Sequence, residues 1–187
     1  MRPLETHATL FMFVASLWLG GCATMTVNSN FEGAPAAQGQ LRSYAWGPSD
    51  TTSTGDPRLD NNRFFDERVR AQVEKQLALR GFEKAASQPP DLLVHYHASI
   101  TQEIDVRDLD KTEPRSDSDA QSVPPTCRNC VYDKGTLFID LVEPNSHRLV
   151  WRGWAEGSVD GVVDNQKWME SRIDETVAKI FTRLPKL

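Results

Sequence analysis

The chain of 187 residues is defined first by what it does without. After the N-terminal stretch no apolar run approaches the roughly 20 residues that a membrane-crossing helix needs, so nothing in the mature chain is expected to span a bilayer. Basic residues are in deficit: 21 Lys and Arg face 26 Asp and Glu, for a net charge of −5. That balance argues against a nucleic-acid partner, whose phosphates select for Lys and Arg, and weakly against electrostatic docking on an anionic lipid surface. Motifs of catalysis are missing as well. There is no G-x-S-x-G elbow, no S-x-x-K, no H-E-x-x-H and no phosphate-binding glycine loop. The D-x-D pairs Asp108/Asp110 and Asp117/Asp119 lack the glycine and terminal glutamate of a calcium loop. No cofactor is implied, and the chain reads as non-enzymatic. Cysteine is scarce, with three in all, and each has a distinct context.

What is present begins with an address. Residues 1–21 read MRPLETHATLFMFVASLWLGG, a modest positive start followed by an apolar core from Leu10 to Leu19. That core is too short to span a bilayer and suits the h-region of a secretory signal. Leu19-Gly20-Gly21-Cys22 follows, with small residues where a peptidase must reach the backbone. This resembles the bacterial lipobox, which implies cleavage before Cys22 and acylation of Cys22 as the mature N-terminus. One acyl chain holds a protein marginally and stable anchoring takes more than one, so a multiply acylated cysteine would fix the chain to the membrane. Ala23, rather than Asp, follows the cysteine, which in the enterobacterial sorting scheme implies export to the outer membrane. The expected location is therefore the periplasm-facing leaflet of the outer membrane.

Residues 22–187 suit one domain. The chain is organised around Gly135 to Val159, where two runs rich in aliphatic and aromatic residues flank Glu143-Pro144-Asn145-Ser146. That is a β-hairpin signal. Leu137, Ile139 and Leu141 share one parity in the first run, and Leu149, Trp151, Gly153 and Ala155 share one in the second, so each strand has one face for a core. Upstream, Thr24–Phe31 reads as an edge strand close to the anchor, Leu41–Trp46 as a second strand, and Asp91–Ile100 as a third. Between them Asp60–Arg80 reads as a helix: Phe65, Val69, Val73 and Leu77 form a stripe at i+4 spacing, Asp60 or Asn61 is placed to cap it, and Gly81 suits a left-handed C-terminal position. Residues 101–130 are acidic and punctuated by proline, and are expected to be mostly a mobile insertion. A last helix carries Met169, Ile173, Val177, Ile180 and Leu184 on one stripe, capped by Asp164 or Asn165 and closed by Pro185.

The lipobox, Tyr44-Ala45-Trp46, Leu79-Arg80-Gly81-Phe82, Asp91-Leu92-Leu93-Val94, Gly135-Thr136-Leu137 leading into Ile139-Asp140-Leu141, and Leu149-Val150-Trp151-Arg152-Gly153 lie in one order along the chain. Together they resemble the bacterial lipoproteins catalogued as domain of unknown function 4136. The resemblance implies a periplasm-facing, lipid-anchored α+β domain with no established activity, and it supplies no catalytic residues. The acidic, Cys-containing insertion departs from the usual pattern.

Three constellations are candidate sites. Cys127-Arg128-Asn129-Cys130 holds the two cysteines left after Cys22, and in an oxidising compartment they are expected to form a local disulfide. A redox role fits poorly, because the flanks are not the helix N-terminus that lowers an attacking thiol's pKa. With His95 and His97, alternating on one strand face, Cys127 and Cys130 would supply the ligand types of a tetrahedral zinc or copper site. The third constellation is the sheet face opposite the helices, where parity places His95, His97, Asp140, Arg152, Trp154 and Glu156. A solvated face laced with ion pairs has that composition, and so does a binding patch enriched in Trp and Arg. The expected fold is a two-layer α+β sandwich: a mainly antiparallel sheet of four or five strands with two helices on one face. The expected role is a lipid-anchored envelope module that binds an envelope protein or cell-wall partner, with metal binding or thiol redox as the alternative.

Overall fold

The structure is a computed structural model that describes residues 25–32, 41–48, 53–86, 89–104 and 131–187. The hairpin read from sequence is its centre: β5 (Val131–Val142) and β6 (Leu149–Ser158) pair antiparallel across the turn that begins at Glu143. The other elements are β1 (Thr26–Phe31), β2 (Ser43–Trp46), α1 (Arg63–Ala78), β3 (Glu83–Lys84), β4 (Leu92–Ile104) and α2 (Gln166–Phe181). All the strands form one sheet of six, in the order β1-β6-β5-β4-β2-β3. The class is α+β, but the sheet has one strand more than expected and is mixed. β2 runs parallel to both β4 and β3. The reason is local: α1 lies between β2 and β4 in the chain, and a crossover helix returns the next strand in the same direction. β3 is two residues long and carries no periodic signal. β4 also outruns its expected end, since Thr101–Ile104 pair with Val131–Lys134 rather than joining the insertion.

Alternation then sorts the side chains. Val94, Ala98, Leu137, Ile139, Leu141, Trp151 and Ala155 are buried on the sheet face that meets Val69, Val73 and Leu77 of α1 and Met169, Ile173, Val177, Ile180 and Phe181 of α2. Each Val, Leu or Ile among them contributes about 1.5–3 kcal/mol when fully buried. The largest is Trp151, which is fully buried with its ring 5.7 Å from that of Phe181. Its ring lies across Gly153, where a Cβ would fall 2.4 Å from Trp151 Cη2 and 2.6 Å from Ile180 Cγ2. The indole Nε1 is buried without a hydrogen-bond partner among the described residues. One expectation is corrected here. A register shift at Leu141/Val142 pairs Val142 with Leu149, so Val150 takes the buried position and Leu149 moves to the outer parity.

The helix ends follow the polar side chains available. Asn62, not Asp60 or Asn61, caps α1, its side chain accepting from Phe65 N at 3.1 Å. Asp60 instead accepts from Thr54 N at 2.7 Å, and Asn61 takes the left-handed region at φ 58°. Gly81 follows α1 at φ 82°, as its position predicts. Asn165 caps α2 by accepting from Trp168 N at 3.1 Å. The parallel junction has its own clasp: Asp91 Oδ2 accepts from Arg42 N at 2.9 Å, Ser43 N at 2.8 Å and Ser43 Oγ at 2.8 Å. The Arg42 amide and Ser43's hydroxyl and amide hold the Asp91 carboxyl below the usual carboxylate range.

Two outcomes are expected. Gly153→Ala forces a methyl into the Trp151 ring and costs about 1–3 kcal/mol in denaturant unfolding, with the fold retained. Asp91 has a lower pKa folded than unfolded, so its contribution is complete above about pH 4 and falls away as the pH drops through the lower native value. Asp91→Ala therefore loses about 1–2 kcal/mol at pH 7 and shows a shallower decline in stability between about pH 4 and pH 2 than the parent chain.

Candidate functional site

The outer sheet face is built by register. Across β4, β5, β6 and β1, one row reads His95, Asp140, Arg152 and Asn30; the next reads His97, Phe138, Trp154 and Asn28; the third reads Ser99, Thr136, Glu156 and Thr26. All six residues expected there share this parity, and the structure brings them together. Arg152 grips Asp140 with two parallel bonds, Nε to Oδ1 at 2.7 Å and Nη2 to Oδ2 at 2.6 Å. The carboxylate raises the Arg152 pKa. With Arg152 half exposed, the pair is worth little in stability but fixes the guanidinium plane. Its Cζ lies 5.6 Å from the Phe138 ring centre.

The second row is an aromatic ladder. His97 and Phe138 have ring centres 6.4 Å apart at 32°, and Phe138 and Trp154 have theirs 6.2 Å apart at 27°. The rings stand as cross-strand neighbours, each steadied by the next. His95 sits apart from the ladder: its imidazole lies on Gly47, where a Cβ would meet Cε1 at 2.1 Å. Only glycine at 47 admits that ring position. Below the ladder Lys134 bridges Glu156 at 3.1 Å and Glu103 at 2.9 Å, and Tyr132 Oη donates to Glu103 at 3.1 Å. The paired carboxylates raise the Lys134 pKa, and Lys134 in turn lowers that of Glu103. Phe138 and Lys134 are members the candidate set lacked. Phe138 was legible, since it shares the parity of Asp140; Lys134 was not, since β5 was expected to begin at Gly135.

Cys22, Cys127 and Cys130 lie outside the described residues. Among the described residues no group of three His, Cys, Asp or Glu is arranged to hold a metal ion.

A second polar cluster lies on the helix side, beside the β2–β4 edge. Tyr96 Oη donates to Asp66 at 2.7 Å, Arg70 pairs with Asp66 at 2.8 Å, and the Arg70 guanidinium lies 4.4 Å over the Trp46 ring. Trp46 Nε1 donates to Glu74 at 2.8 Å, which also binds Lys84. Burial and the bond to Asp66 push the Tyr96 phenol up. Burial alone would raise Asp66, but Arg70 and Tyr96 outweigh it and hold the carboxyl down. Both shifts run away from neutrality, whereas a general acid or base works best with a pKa near the operating pH. The cluster ties α1 to the sheet.

Fold and face together define a two-layer α+β domain with helices on one side and a polar, aromatic sheet face on the other. The chain belongs to the family described as Domain of unknown function (DUF4136), whose model matches residues 27–186. No curated protein matches it. Among solved structures it is similar to a PDZ domain protein from Parabacteroides distasonis, with 12% identity and a TM-score of 0.52 over 87% of this chain and 36% of that one. It is also matched by a PelC dodecamer from Paraburkholderia phytofirmans, at 12% identity and a TM-score of 0.44 over 85% of this chain and 96% of that one. A putative neuraminyllactose-binding hemagglutinin homolog from Helicobacter pylori is 15% identical, with a TM-score of 0.45 over 80% of this chain and 85% of that one.

The two sheet faces are expected to respond differently to truncation. Ile139→Ala, on the covered face, costs about 2–5 kcal/mol in denaturant unfolding, while its neighbour Phe138→Ala costs about 1 kcal/mol. Equal losses would mean that the outer face is packed against something in the purified protein.

Proposed function

We propose that this chain is a non-enzymatic, lipid-anchored module of the cell envelope that binds an envelope protein or a cell-wall polymer through the outer sheet face. The observation that carries the reading is that face itself. It combines an Arg held in plane by a carboxylate, an imidazole–phenyl–indole ladder and a Glu–Lys–Glu bridge, and no element of the described chain covers it. Aromatics and Arg are the side chains on which interfaces concentrate their energy. The lipobox supports the location. β1 begins at Thr26, four residues after Cys22, so acylation there would hold the domain against the bilayer at the β1 end, on the periplasmic side of the outer membrane. Among the described residues no helix is long and apolar enough to cross a membrane.

The metal or redox alternative turns on Cys127 and Cys130, which lie outside the described residues; of its histidines, His95 lies on Gly47 and His97 stacks on Phe138.

Two measurements test the reading. Intact mass of the protein from its native membrane, with and without reductant, alkylating agent and chelator, is expected to show acyl mass on Cys22 and thiols at Cys127 and Cys130 that alkylate only after reduction. Thiols that alkylate after a chelator alone would instead establish the metal site. In cells, a photo-crosslinking residue at Trp154 is expected to give a discrete adduct that Phe138→Ala weakens severalfold. The same residue at Leu79, exposed at the end of α1, is expected to give none. Equal adducts at both positions would overturn the assignment of the face.

A further inference from the structure

The sandwich is not filled evenly. At one end the sheet presents Leu141 and Trp151 to the helices; at the other the facing row is Ala98, Leu137, Ala155 and Val27, with alanine at two of its four positions. Phe65, Met169 and Ile173 line the helix side of that end, and a cavity of about 80 Å³ lies there. This is about half the volume of an engineered cavity of ~150 Å³ that stays dry and takes up benzene. At ~30 Å³ for a water-sized group, it holds roughly three carbon atoms. Thr176 is the buried polar residue in its wall.

The rim is polar on one side. Met25 and Arg172 both border the opening. Arg172 Nη2 donates to Ser158 O at a long 3.3 Å, and its Nη1 is 3.8 Å from Glu175, a carboxylate held at 2.7 Å by Lys179. Among the described residues no carboxylate engages its fork in two parallel bonds, the geometry for which a guanidinium is built.

We propose that this cavity is a binding site for a short linear carboxylate. Its aliphatic tail lies between Ala155 and Ile173, and its carboxylate replaces Ser158 and Glu175 on Arg172. The tail supplies affinity by leaving water, and the guanidinium sets the head's position. The site lies across the sheet from the aromatic ladder, so it stands or falls independently of the proposed partner face.

The test uses residues 23–187, the expected mature chain without the acylated Cys22, produced with a cleavable secretory signal. Acetate, propanoate, butanoate, pentanoate and hexanoate are titrated by NMR, following the methyl groups of Ala155, Met169 and Ile173, with the matching n-alcohols alongside. Affinity is expected to rise about fourfold per methylene until the cavity is full, at butanoate, whose tail carries three carbons, and then to level off. Carboxylates are expected to bind at least fivefold more tightly than the alcohols, and Arg172→Met, at a partly exposed position, is expected to remove that difference. Ala155→Val, which fills the floor, is expected to abolish the shifts; a thermal melt shows whether that variant is folded, and if it is not, Ala98→Val replaces it. No shift of these methyls at any chain length overturns the proposal. So does binding that ignores chain length, or a carboxylate preference that survives Arg172→Met.

Discussion

The fit of Trp151 over Gly153 is the constraint on which the other packing depends. The ring is fully buried in β6, lies in the space that a side chain at 153 would occupy, and meets Ile180 and Phe181 at the C-terminal end of α2. It therefore sets how closely α2 approaches the sheet. α1 follows, because it packs on α2 and is tied to it by Arg68, which pairs with Glu170 and Asp174. The indole N–H goes unpartnered among the described residues, an enthalpic cost accepted for the volume the ring fills. At the other end of the same helix the sheet offers alanines instead, and the layers cannot close. One sheet thus carries a tightly filled end and an open one.

The two faces of that sheet are held by different physics. The covered face is held by displaced water. The outer face is held by pairwise contacts between adjacent strands: Arg152 with Asp140, Phe138 with Trp154, Lys134 with Glu103 and Glu156. Such contacts add little to stability individually. What they add is order, fixing planar and charged groups at known separations. Three ionisable groups of the fold point the same way. The Tyr96 phenol rises, Asp66 and Asp91 fall, and in each case a neighbouring group of the fold is a cause. These groups are tuned toward permanent charge or permanent neutrality, as in structural networks, and not toward proton transfer near pH 7.

Much was legible in the sequence. A parity of two gave the covered and outer faces of β4 and of the hairpin, and with them all six residues expected on the outer face. A period near four gave both helical stripes, and side-chain chemistry gave Asn165 and Gly81 their roles. The misses in the sheet share one origin, which is that a strand does not record its partner. Nothing in Ser43–Trp46 states that it lies parallel to β4, and nothing in Glu83–Lys84 announces a strand. The extra residue in β6 shifted Leu149 outward because the bulge is a property of the pair. Asn62 displaced Asp60 as cap because Asp60 had a better acceptor role toward Thr54, a contact visible only once the loop is folded.

The sequence alone determined which residues seek the interior and which seek water, because hydrophobicity and backbone period are local properties. It also carried the expectation of an N-terminal address, which rests on the order of residues and needs no fold. The tertiary structure decided the rest: strand order, the parallel junction clasped by Asp91, the alignment of His97, Phe138 and Trp154 into one row, and the cavity above Ala98 and Ala155. Each of these is a distance between residues far apart in the chain, and such distances are fixed only when the core closes around Trp151.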